Sequence, residues 1–318
     1  MRIIIAALGC CIAFGAMGQD TASILPARPP EKTEIKDGKE PSHLFYAPRL
    51  INANTVFMLP KGILEFKVSH NFNDIAGDFG GIKNFFGLDD ALDIRIGFQY
   101  GLSKRLNLSF ARYKGEAQVQ KMYELGLKWL ILQQFENDPS HPISMAVYAN
   151  AVVATMKSGT NPANENFVNG FSDRLSNLYQ LMLAKKMGPI TLQITPSIVH
   201  RNHKLAYDQS TVAALSGAAR IHLHGRYSLL LDYNHSFHRQ SVVDSFQTRN
   251  IKFRDAIGVG FEILTEGHVF QLNFTNATDI LENRYIPRTV RSWGKGQFRW
   301  GFTIARDFDL LYKKKRKK

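Results

Sequence analysis

Leu64-Glu65-Phe66-Lys67-Val68-Ser69-His70-Asn71-Phe72 and Leu92-Asp93-Ile94-Arg95-Ile96-Gly97-Phe98-Gln99-Tyr100 decide the fold. In the first, Leu64, Phe66, Val68, His70 and Phe72 take one face, with Glu65, Lys67, Ser69 and Asn71 on the other. In the second, Leu92, Ile94, Ile96, Phe98 and Tyr100 oppose Asp93, Arg95, Gly97 and Gln99. Residues two apart diverge by about 200° on a helix, so the pattern separates into two faces only on a strand. The alternation recurs at 106–110, 123–131, 143–153, 176–185, 190–200, 214–224, 227–237, 256–263, 268–274 and 298–306, which predicts twelve strands.

The connections test that count independently. Those from odd to even strands (73–90, 112–120, 154–175, 201–213, 238–255 and 275–297) are mostly long and rich in Gly, Asn and Asp. Those from even to odd strands (101–105, 132–142, 186–189, 225–226 and 264–267) are mostly tight turns. Two break the rule: 112–120 is short for its side and 132–142 is long for the other. Alternating short turns and long loops is the mark of an up-and-down antiparallel barrel of the outer-membrane type.

Period two alone does not say which face meets water, since a membrane barrel inverts the soluble arrangement. Twelve strands closed by hairpins leave a lumen too wide for one layer of aliphatic side chains. Aromatic residues also tip the apolar stripes near strand ends, at Phe72, Tyr100, Trp129, Tyr227, Phe237, Trp300 and Phe308, where an interfacial belt sits. These features point to an all-β transmembrane barrel.

The ends of the chain carry different signals. Met1-Arg2, an apolar run from Ile3 to Phe14 and Ala16-Met17-Gly18 read as a signal peptide over 1–18, cut after Gly18. Residues 19–61 are Pro-rich at Pro26, Pro29 and Pro30 and then charged, which predicts an extended periplasmic segment that plugs or braces the barrel. The barrel is expected over 62–310 and a basic tail over 311–318. The net charge of +13 includes six cations from Lys313 to Lys318. Both cysteines, Cys10 and Cys11, fall in the signal segment, so the processed chain has no thiol chemistry. Export removes nucleic acid as a partner, leaving outer-membrane lipid and small polar solutes. The oligomeric state is not legible.

Four stretches carry a family resemblance. They are the 64–72 strand, Phe86-Gly87-Leu88-Asp89, Gly267-His268-Val269-Phe270-Gln271-Leu272-Asn273-Phe274-Thr275-Asn276, and Trp293-Gly294-Lys295-Gly296 before the last strand. Over residues 45 to 310 the chain resembles a domain-of-unknown-function family of predicted β-barrels from Bacteroidota. The resemblance implies a barrel in the bacterial outer membrane and brings no activity or site residues with it.

With the apolar faces toward lipid, the lumen-lining charges are Glu65, Lys67, Asp93, Arg95, Glu124, Lys128, Arg220, Asp232, Glu262 and Arg299, five acidic and five basic. A selective pore generally shows a ring of one sign. Such a balance predicts either a narrow, weakly selective channel or a lumen stitched shut by ion pairs between neighbouring strands, with Arg299 closing from the last strand onto the first. The leading expectation is passive or gated passage of small polar solutes. The alternative is a closed structural barrel that binds partners through external loops 154–175 and 275–297 or through the basic tail.

Catalysis and metal binding find little support. His200/His203, His222/His224 and His235/His238 come in pairs, but strand direction sets His222 and His224 about 20–30 Å from the others. An outer-membrane lipid-acting enzyme would need Ser and His on one face, whereas His235 and Ser236 are consecutive and face opposite sides. No Walker loop or H-E-x-x-H motif occurs. The expectation is therefore a non-enzyme without metal or cofactor.

Overall fold

A computed structural model of the chain describes residues 40–77 and 79–311. The expected signal peptide over 1–18, residues 19–39 and the basic tail from 312 onward lie outside the described residues. The strands are β1 (Ile63–Asp74), β2 (Ala91–Ser103), β3 (Leu106–Lys114), β4 (Lys121–Leu132), β5 (Ser144–Ala154) and β6 (Leu175–Met187), followed by β7 (Ile190–Arg201), β8 (Thr211–His224), β9 (Tyr227–Phe237), β10 (Ala256–Thr265), β11 (His268–Thr275) and β12 (Arg299–Asp309). Each pairs antiparallel with its sequence neighbours, and β12 closes on β1 into a twelve-stranded barrel. Val68 sits opposite Ile304 on one side and Ile96 on the other, so the stripe that opened the sequence reading runs unbroken across the seam.

The outer wall is apolar. On β4, Tyr123, Leu125, Leu127 and Trp129 are exposed while Met122, Glu124, Lys128 and Leu130 between them are buried. Exposed Tyr179, Ile194, Ile198, Tyr233, Phe261 and Leu272 continue the band around the barrel. Side chains this apolar, turned outward from a closed barrel with a polar interior, match a lipid-facing wall. No helix among the described residues is long and apolar enough to cross a membrane, so the strands do the crossing.

Two segments fill the inside. Residues 41–61 enter from the rim that carries the short turns, make a tight bend in which Arg49 and Asn54 pair, and return to that rim. Most of their side chains are buried, including Leu44, Phe45, Leu50 and Val56. From the opposite rim, residues 276–291 fold down into the barrel around a single helical turn, α2 (Glu282–Tyr285), whose four residues are all buried. A longer helix, α1 (Gln240–Gln247), precedes β10 on that rim and buries only Val242 and Phe246. The expectation that loop 275–297 lies outside is therefore wrong over most of its length. Its apolar residues Ile280, Leu281, Tyr285 and Ile286 are buried and cannot serve an external partner.

The two irregular connections now have physical reasons. The long β4–β5 turn holds the incoming segment: Ser42 N–H donates to the Gln134 carbonyl at 2.9 Å, Glu136 N–H to that of Glu40 at 2.8 Å, and Pro41 bridges Phe135. The short β3–β4 loop tucks Val119 against Tyr113, Met122, Ile280 and Leu281, so it caps the inward fold of residues 276–291 instead of projecting outward.

Candidate functional site

The site is the junction where the two filling segments meet inside the barrel. Lys128, inward on β4, donates through Nζ to the carbonyls of Thr55 at 2.7 Å and Pro48 at 3.2 Å, tying both arms of the bend in residues 41–61. Asp232 on β9 accepts from the backbone N–H of Asn52 at 2.6 Å and from its side-chain amide at 2.9 Å, fixing the bend's tip. Gln193 on β7 accepts from Val56 N–H at 3.0 Å and donates to the Asn54 carbonyl at 2.7 Å, while Gln271 on β11 donates to that of Arg49 at 3.2 Å. An irregular backbone inside a barrel needs such partners for every peptide group. The wall's inward side chains supply them from several strands at once.

Aliphatic packing supplies the rest. Leu44, Phe45, Leu50, Ile51 and Val56 pack with Leu130, Leu178, Met182, Val199, Val212 and Leu230, all inward on β4 and β6 through β9. Burying such a side chain is worth roughly 1.5–3 kcal/mol. The inner face of β10 is kept low where the bend passes: a Cβ on Gly258 would strike Asp232 and meet Ile51 at 2.9 Å.

The second segment adds a set of ion pairs to the burial of Ile280, Leu281, Tyr285 and Ile286. The carboxylate of Glu165, from the β5–β6 loop, pairs with Arg284 and Arg288, and lies 3.5 Å from Arg201, which itself pairs with Asp208 at 2.5 Å. Burial would raise the Glu165 pKa, but the guanidiniums of Arg284, Arg288 and Arg201 outweigh it and hold the carboxyl well below the usual carboxylate range. Asp279 has the opposite balance. Burial first, and the nearby Asp93 carboxylate second, push it up to about 7 despite Arg284 and Arg299.

The segments join at Arg49. Its guanidinium pairs with Glu282 at 2.8 Å and donates to the Ile280 carbonyl at 3.2 Å and that of Asn52 at 3.1 Å. Burial opposes its charge, but the Glu282 carboxylate beside it leaves its pKa raised. Beside Glu282, Asn283 donates to Ser176 at 2.8 Å and exchanges bonds with Asn150, which donates to Glu124 at 3.1 Å. Glu124 also accepts from Tyr148 at 2.8 Å and pairs with Arg95 at 2.8 Å. A continuous polar path thus joins wall, loop helix and N-terminal bend. Next to it, a cavity of about 20 Å³ bordered by Arg49, Asn54, Glu65, Lys67, Arg95 and Tyr148 has room for about one water molecule.

All ten charges singled out in the sequence are inward and buried. Their partners are not the expected ones. Glu65 and Lys67 lie 3.2 Å apart on the same strand, and Arg95 reaches past β3 to Glu124. Arg299 bypasses β1 to meet Asp93 of β2 at 2.5 Å. Arg220 pairs with Glu262 at 2.7 Å, two strands away, and its guanidinium stands 4.4 Å from the ring centroid of Tyr46. The inner wall curves enough that long side chains span an intervening strand, which flat cross-strand reasoning does not capture. Sequence reasoning missed Arg49, Asn52, Glu165, Arg201, Glu282, Asn283, Arg284 and Arg288. The available signal was apolar residues such as Leu178, Met182 and Leu230 on a face supposed to meet water.

The histidines of the long-loop rim stay apart. His200 contacts Thr211 and Asn202, His235 pairs with Asp255 at 2.9 Å, and His238 stacks on Phe253. His203 is buried, and burial followed by Arg284 lowers its pKa to about 3. Among the described residues no three His, Cys, Asp or Glu side chains converge on a metal position. A cavity of about 320 Å³ is lined by His235, Ser236, His238 and Asp255, but the Ser236 hydroxyl donates to the Ile286 carbonyl at 2.6 Å.

Comparison with known proteins gives one sequence match and several structural ones. Residues 45–308 match the family described as a membrane bound beta barrel domain, DUF5777. No curated protein matches in sequence. Among solved structures, the KdgM porin is 8% identical with a TM-score of 0.46, covering 77% of this chain and 99% of its own. The NanC porin is 8% identical at a TM-score of 0.43, covering 76% and 98%. An outer membrane channel from Pseudomonas putida F1 is 12% identical at 0.43, covering 83% and 100%.

Proposed function

This chain belongs to the DUF5777 family of membrane-bound β-barrel domains and is built as a bacterial outer-membrane barrel, and from that premise we propose that it is a gated channel for small polar solutes, closed in the state described. The observation that carries the reading is the Arg49–Glu282 junction, where a segment from each rim meets and fills the lumen. Short turns face the periplasm in such barrels, so residues 41–61 enter from the periplasmic side and 276–291 from outside. Polar side chains lining the interior suit a hydrated path once the filling withdraws. Buried charges paired within the wall suit one that admits solutes of either sign. In this reading the chain has no catalytic role.

A closed structural barrel is the second reading, favoured by the aliphatic packing of residues 44–56 against the wall, which a frequently moving gate would have to break. Planar-bilayer conductance separates the two. The full chain should be silent or open rarely, and a chain lacking residues 26–61 and carrying Glu165→Gln, which also frees residues 276–291, should show discrete steps of stable size. A truncated barrel that still shifts on boiling in a detergent gel yet stays silent would overturn the channel reading and leave the structural one.

A further inference from the structure

The outward face of the β3–β4 hairpin differs from the rest of the outer wall. Toward the long-loop rim, β3 presents Leu108, Phe110, Arg112 and Lys114, and β4 presents Leu125, Tyr123 and Lys121, all exposed. Lys114 sits directly opposite Lys121, and Arg112 directly opposite Tyr123. The Arg112 guanidinium lies 5.8 Å from the Tyr123 ring centroid, and that ring stacks on Phe110 at 5.9 Å. Toward the same rim the other strands turn outward residues such as Phe72, Ile94, Val153, His200, Phe237, Ile257, Phe274 and Trp300, with no Lys or Arg among them.

Two observations need an explanation. Like charges directly opposite on a sheet repel, and no acidic side chain among the described residues pairs with Arg112, Lys114 or Lys121. The hairpin is also layered along its length, from aliphatic through aromatic to cationic. At about 3.3 Å per residue the lysines stand roughly 13 Å beyond Phe110. That order and spacing follow a lipid monolayer from acyl chain through interface to charged headgroup.

We propose that Arg112, Lys114 and Lys121 bind the phosphate groups of an outer-leaflet lipid whose acyl chains lie along Leu108, Phe110 and Leu125. A phosphate between the lysines would turn their repulsion into two charge-assisted contacts. Arg112, steadied over Tyr123, can present paired N–H donors to a second oxygen or a second phosphate. The site stands on the outer wall and does not depend on whether the lumen opens.

The test uses the full processed chain, folded in detergent and titrated with lipid A bearing its phosphates, with the same lipid after phosphatase treatment, and with inorganic phosphate. Bound molecules are counted by native mass spectrometry. The parent should retain phosphorylated lipid A, and the R112Q/K114Q/K121Q variant should bind it at least about tenfold more weakly. A K83Q/K157Q/K252Q control, with the same charge change at other exposed positions, should bind like the parent. Should the triple variant fail to fold, Lys114→Gln alone is expected to fold normally, since it relieves the repulsion, and still to lose lipid. The proposal fails if charge removal on the hairpin leaves binding unchanged, if the control loses as much, or if dephosphorylated lipid binds equally well. Complete displacement by inorganic phosphate would overturn the lipid assignment in favour of a free-anion site.

Discussion

The two segments that fill the barrel do the same work by different chemistry. Residues 41–61 are held by aliphatic burial and by neutral or singly charged wall groups gripping backbone: Lys128 on carbonyls, Asp232 on an amide, Gln193 on both. Residues 276–291 bury Ile280, Leu281, Tyr285 and Ile286 as well, and add ion pairs between side chains, three arginines around Glu165 and Arg49 on Glu282. Burial packing is indifferent to salt and to mild pH change, whereas charge pairing responds to both. The filling from the short-turn rim therefore behaves as the durable element and the one from the long-loop rim as the responsive element.

The comparison breaks most sharply at Glu165. Glu165→Gln leaves three guanidiniums facing one another without their shared carboxylate, and removing one partner of a buried charge group costs about 3–5 kcal/mol. Residues 276–291 should leave the lumen, exposing Arg284 and Arg288 to trypsin, while residues 41–61 stay put. Cleavage no faster than in the parent would show that ion pairing does not hold the outer segment.

A smaller effect is expected at Gly258, where the bend of residues 41–61 touches the wall. Gly258→Leu fills space that Ile51 and Asp232 occupy, and overpacking of this kind costs about 1–3 kcal/mol. With Ala53→Cys as the reporter, maleimide labelling should accelerate in the Leu variant without faster trypsin cleavage at Arg284. Simultaneous release of both segments would mean that Arg49 makes them a single unit.

The smallest effect concerns pH. Asp279 has its folded pKa raised by burial and by Asp93, in the presence of Arg284, Arg299 and Tyr113, to about 7. A raised acid binds its proton more tightly in the folded state, so its contribution favours the inward fold at low pH and is lost as pH rises through about 7. Hydrogen exchange of residues 276–291 should quicken over that range and flatten in Asp279→Asn. Exchange within residues 41–61 should not follow it.

The strands were legible because each has one face against lipid and one away from it, and period two is the only pattern that satisfies both. The inward position of the ten charges follows from the same parity. Their partners do not, because Arg95 to Glu124 and Arg299 to Asp93 each cross a strand, and such contacts depend on the curvature of the closed wall. The inward fold of residues 276–291 was hidden by composition: Glu282, Asn283, Arg284 and Arg288 read as a solvated loop because their partners Arg49, Asn150, Ser176 and Glu165 lie far away in sequence. Leu178, Met182, Val199, Val212 and Leu230 carried the contrary information, since five aliphatic side chains on an inner face imply something apolar inside.

One feature of residues 41–61 governs how the barrel can be assembled. Glu40 and Ser42 are clasped by the β4–β5 turn, and at the other end Gly62 N–H bonds to the Gly101 carbonyl at 2.8 Å, so both ends of the segment leave by the same rim. Among the described residues this segment passes into the barrel and back and never through it, which leaves its topology unthreaded. β12 can therefore zip onto β1 before the lumen is filled, and the segment can slip in afterwards or out again with every interstrand hydrogen bond intact.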